Sequence, residues 1–86
     1  MNMAVVVGSI VATQKDDSLT GKKLMIVQQI NSLQEVIGGE EVAVDNVGAG
    51  VGELVLLTRG ASARLLFSND SAVDTAIVGI IDSFEK

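Results

Sequence analysis

From Met3 to Thr13 the chain reads Met-Ala-Val-Val-Val-Gly-Ser-Ile-Val-Ala-Thr, an almost wholly apolar, β-branched stretch of strand composition. It does not alternate, so both faces need cover, and no long amphipathic helix elsewhere in the chain can supply the second. Two arrangements satisfy it: a locally two-sided core, or one face on a barrel interior and the other on a neighbouring subunit. Lys22-Lys23 leads into a second strand, Leu24 to Ile30. Glu41 to Asp45 alternates polar and apolar residues and predicts a short third strand. Leu54 to Thr58 predicts a fourth. Ala76 to Asp82 predicts a fifth, apolar on both faces apart from Gly79, so the first and last strands share one burial problem.

The intervening segments read as connections. Gln14 to Gly21 is polar and predicts an exposed loop. Asn31 to Glu41 sets the turn formers Asn31-Ser32 and Gly38-Gly39 around Val36-Ile37 and predicts a hairpin loop of variable length. Gly60-Ala61-Ser62-Ala63-Arg64-Leu65-Leu66-Phe67 is rich in helix formers and predicts one or two helical turns, followed by the turn cluster Ser68-Asn69-Asp70-Ser71. The expected fold is all-β: one domain over residues 1–86, a small five-stranded OB-like antiparallel β-barrel with one short helix before the last strand.

Composition narrows what such a barrel does. Its 86 residues include no cysteine and no histidine, which removes disulfide staples, thiol nucleophiles, zinc and haem ligation, and histidine acid–base chemistry. A core this small gains stability from partner subunits when it has neither disulfides nor a metal. The net charge of −5 is the wrong sign for neutralising phosphates. The only aromatic residues, Phe67 and Phe84, leave little on which bases could stack. Nucleic acid is therefore not an expected partner. No apolar run approaches the roughly 20 residues needed to span a bilayer. The first 13 residues lack the charged start and cleavage pattern of a signal peptide, so no membrane partner and a cytoplasmic location are expected.

Four motifs invite chemistry. Between the third and fourth strands lies Val44-Asp45-Asn46-Val47-Gly48-Ala49-Gly50-Val51-Gly52-Glu53, where three glycines at alternate positions require φ > 0 or a close backbone approach. Its G-x-G-x-G spacing and following strand differ from the G-x-G-x-x-G and helix that hold a dinucleotide, and no Gly-Lys-Ser/Thr closes it. Gly60-Ala61-Ser62-Ala63-Arg64 opens like a nucleophile elbow but ends in Arg64, and without histidine no triad can form, so Ser62 reads as a capping or turn hydroxyl. Asp45 and Glu53 flank the glycines and read as strand-end carboxylates hydrogen-bonded to nearby backbone, or paired with Arg64, rather than as an acid–base pair. Lys22-Lys23, without further basic neighbours, reads as a solvated strand entrance and not as a phosphate site. No catalytic residue, cofactor or metal is expected.

Several blocks in order resemble the EutN/CcmL family of bacterial microcompartment vertex proteins. They are Val11-Ala12-Thr13-Gln14-Lys15, Leu19-Thr20-Gly21-Lys22-Lys23-Leu24, Ala43 to Glu53, Gly60 to Arg64, and Val73-Asp74 with Ile77 to Asp82. The resemblance covers essentially the whole chain. It implies a non-enzymatic shell protein, a cyclic homopentamer closing five-fold vertices beside hexameric shell proteins. It also implies a subunit-interface or pore role for Val47, Gly48, Ala49, Gly50, Val51 and Gly52. Family members tend to carry Gly-Ser-Ser-Ala-Arg where this chain has Ala61, so one hydroxyl is missing. The uninterrupted Gly48 to Glu53 block resembles metabolosome members more than carboxysome ones. The alternative readings are an oligonucleotide-binding OB module, carried by strand count alone, and a small nucleotide-binding protein using the glycines.

Overall fold

A computed structural model describes residues 1–60, 62, 63, 66 and 73–85. Five strands occupy Asn2–Ile10 (β1), Lys23–Ile30 (β2), Val36–Asp45 (β3), Leu54–Arg59 (β4) and Thr75–Ile80 (β5). They close a barrel in the order β1-β2-β3-β5-β4, with β4 returning to β1. Alternate residues point inward, as strand geometry requires. Ala4 and Val6 from β1, Met25 and Val27 from β2, Ala43 from β3, Val55 and Leu57 from β4, and Ile77 from β5 form one buried cluster. A second cluster joins Leu24, Val44 and Ala76 from the barrel wall to Ala63 and Val73.

The second cluster resolves half of the two-sided burial problem within the subunit. On β5 the adjacent residues Ala76 and Ile77 are both fully buried, one in each cluster. The other half stays open. β1 and β5 are both neighbours of β4 in the barrel, so their outward residues gather on one face with Leu56. There Met3 and Leu56 are only half-buried and Ile80 is exposed.

The barrel is closed at both ends. At one end the inward positions turn polar. Arg59 donates from Nε to Asn2 Oδ1 at 3.0 Å and from Nη1 to Glu41 Oε2 at 2.8 Å, and its Nη2 lies 2.5 Å from Glu41 Oε1. The Glu41 hydrogen bond holds the arginine's pKa above its ordinary value. At the other end Ala49, from the loop between β3 and β4, is fully buried in the barrel cluster.

Several expectations need correction. The Asn31 to Glu41 loop is only half a loop, because β3 begins at Val36 and runs through Gly38 and Gly39, which lie in the register irregularity between the Ile30–Val36 and Gln28–Glu40 partners. The turn is made upstream by Asn31, whose Oδ1 accepts from the Leu33 and Glu35 amides at 2.9 and 3.1 Å, with Gln34 at φ 64°. Pairing with β2 on either side, at Val36 and Glu40, keeps the two glycines within the strand as a bulge instead of a turn. The first strand stops at Ile10 and the last at Ile80, both short of the expected ends. The barrel is not wholly antiparallel, since β3 and β5 pair in parallel at Val44–Ala76 and Asp45–Ile77. The expected polar loop holds a 3-10 turn at Asp17–Leu19. There the Ser18 hydroxyl and amide hold the Asp16 carboxyl below the usual carboxylate range. The helix expected over residues 60–67 falls mostly outside the described residues. Among those described, the Ala63 and Leu66 amides bond to the Gly60 and Ala63 carbonyls.

Leu57 is fully buried in the barrel cluster. Leu57→Ala is expected to cost about 2–5 kcal/mol, read as a lower urea midpoint at fixed protein concentration.

Candidate functional site

β3 ends by delivering Asp45 to the start of the glycine loop, and that carboxylate organises the loop backbone. Its Oδ1 accepts from the Val47 and Gly48 amides, each at 3.0 Å, and its Oδ2 from the Ala49 amide at 2.8 Å. The side chain is only 2% exposed. Lys23, its register partner on β2, sets Nζ 3.9 Å from Oδ2 and donates to the Ala49 carbonyl at 3.2 Å. A second carboxylate closes the loop, with Glu53 Oε1 accepting from the Gly50 amide at 2.6 Å and the Glu53 amide donating back to the Gly50 carbonyl at 3.2 Å. The Gly52 amide then bonds to the Val6 carbonyl at 2.7 Å, and the Val6 amide to the Glu53 carbonyl at 3.0 Å, tying the loop to β1.

The three glycines do different work. Gly48 and Gly52 stand at φ +83° and +92°, the left-handed region that glycine enters without a Cβ penalty. Gly50 does not. A Cβ there would sit 3.3 Å from Glu53 Oε1, so its constraint is space beside the carboxylate. The loop has two sides: Ala49 turns into the barrel, whereas Val47 and Val51 are 40% and 65% exposed.

This arrangement argues against chemistry at the loop. The amides of residues 47 to 50, which would cradle a phosphate, are already bonded to Asp45 and Glu53. An incoming anion would have to displace two carboxylates of its own charge. Asp45 and Glu53 are brought to one loop, yet each is used as a backbone acceptor. Ser62 is exposed, and Arg64, with its expected ion pair, lies outside the described residues. No group of three or more acidic side chains that could hold a metal converges among the described residues.

Three polar features escape a reading of the sequence. Lys23, although its side chain is more than half exposed, also ties β2 to the loop, and Lys22 donates to the Ser18 carbonyl. The Glu41–Arg59 pair closes the far end of the barrel. One signal was available for that pair, because alternation from Ala43 places Glu41 on the inward face, where a carboxylate requires a cation. Nothing local pointed to Arg59 as that cation.

Asp45→Ala is expected to lower stability by about 2–3 kcal/mol, less than three charge-assisted bonds in sum because the freed amides partly rehydrate. Hydrogen exchange at the amides of Val47, Gly48 and Ala49 is expected to accelerate. Protection unchanged from wild type would show that the carboxylate does not hold the loop.

Residues 1–82 match the family model described as ethanolamine utilisation protein EutN/carboxysome. The chain is 52% identical to the bacterial microcompartment shell vertex protein PduN of Salmonella typhimurium, over 96% of this chain and 97% of that one. It is 47% identical to the carboxysome shell vertex protein CcmL of a Nostoc species, over 96% and 84%. Among solved structures, the GrpN pentameric microcompartment shell protein from Rhodospirillum rubrum superposes with a TM-score of 0.91 at 41% identity, covering 100% of this chain and 99% of that one. A structure of EutN superposes with a TM-score of 0.94 at 42% identity, over 100% and 91%. Matched over nearly its whole length by the family model and by relatives well above 30% identity, the chain belongs to the EutN/CcmL family.

Proposed function

We propose that this protein is a structural, non-enzymatic component of a bacterial microcompartment shell, a cyclic homopentamer that caps five-fold vertices. One observation carries the reading: near full-length identity to proteins named as shell vertex proteins, on a barrel that superposes on a pentameric shell protein. The geometry supports it from two directions. The loop that might have done chemistry spends its polar groups on its own backbone, and the subunit leaves apolar side chains exposed on its outer surface. Exposed apolar surface beyond scattered single residues marks an interaction site.

Finer features extend the reading. The strand order with its one parallel pairing supports an OB-like barrel. Hexameric shell proteins are the expected neighbours, since a vertex protein must join the facets around it. Val47 and Val51, outward on a loop whose shape is fixed from within, are suited to lie near the five-fold axis or the subunit interface. The higher identity to PduN than to the Nostoc CcmL supports a metabolosome over a carboxysome.

Light scattering at micromolar concentration is expected to give five copies of the 8.9 kDa chain, about 45 kDa. A monomer would overturn the reading. Because each copy carries a charge of −5, raising salt from low ionic strength is expected to favour the ring. Gly50→Val is expected to push Glu53 off the Gly50 amide, lowering thermal stability and the yield of pentamer. Pentamers of unchanged stability would contradict the role assigned to Gly50.

A further inference from the structure

We draw no further inference here: the strongest candidate, the apolar groove that Met3, Leu56, Ile80 and Phe84 line on the outer β1–β4–β5 face, carries nothing beyond the ring already proposed, because nothing in the structure shows what covers it.

Discussion

The interior of this barrel is closed by a backbone loop, and the loop keeps its shape because Asp45 accepts three successive amides from it. Ala49 can fill the barrel end only if residues 47 to 50 curl tightly, and tight curling turns their N–H groups to one side. Left without acceptors, those amides would require water at the mouth of an apolar core. The carboxylate substitutes for that water. It is itself held by Lys23, so strand β2, strand β3 and the loop meet at one polar knot beside the core.

The second constraint is size. A chain of 86 residues cannot surround five strands with apolar cover on both faces. It covers part of the outer wall itself, packing Ala63 and Val73 over Leu24, Val44 and Ala76. The rest of the outer apolar surface, around β4 and on the β2–β3 hairpin, stays uncovered within the subunit. Small size and oligomeric habit are thus one property: the same residues that a monomer cannot bury are those a ring can.

How much was legible in the sequence depended on the range of the forces involved. Strand identity and the two-sided character of the first and last strands were legible because β-branched composition acts locally at each residue. The positions of Gly48 and Gly52 were legible as a demand for unusual backbone, since glycine alone meets it without cost. Gly38 and Gly39 misled, because a glycine permits a turn without requiring one and here the pair sits in a strand irregularity between the paired residues Val36 and Glu40. At the site, Asp45 and Glu53 were readable as backbone acceptors from their proximity in sequence. The Lys23 tether and the closure by Glu41 and Arg59 were not, since both depend on register between strands far apart in the chain.

The Asn2–Glu41–Arg59 closure at one end and the buried Ala49 at the other have a consequence for permeability. A barrel filled with side chains and shut at both mouths offers no lumen. Solutes crossing a wall built of such subunits would have to pass between them, so the selectivity of any opening would belong to the seam residues of neighbouring copies and not to the barrel's own interior.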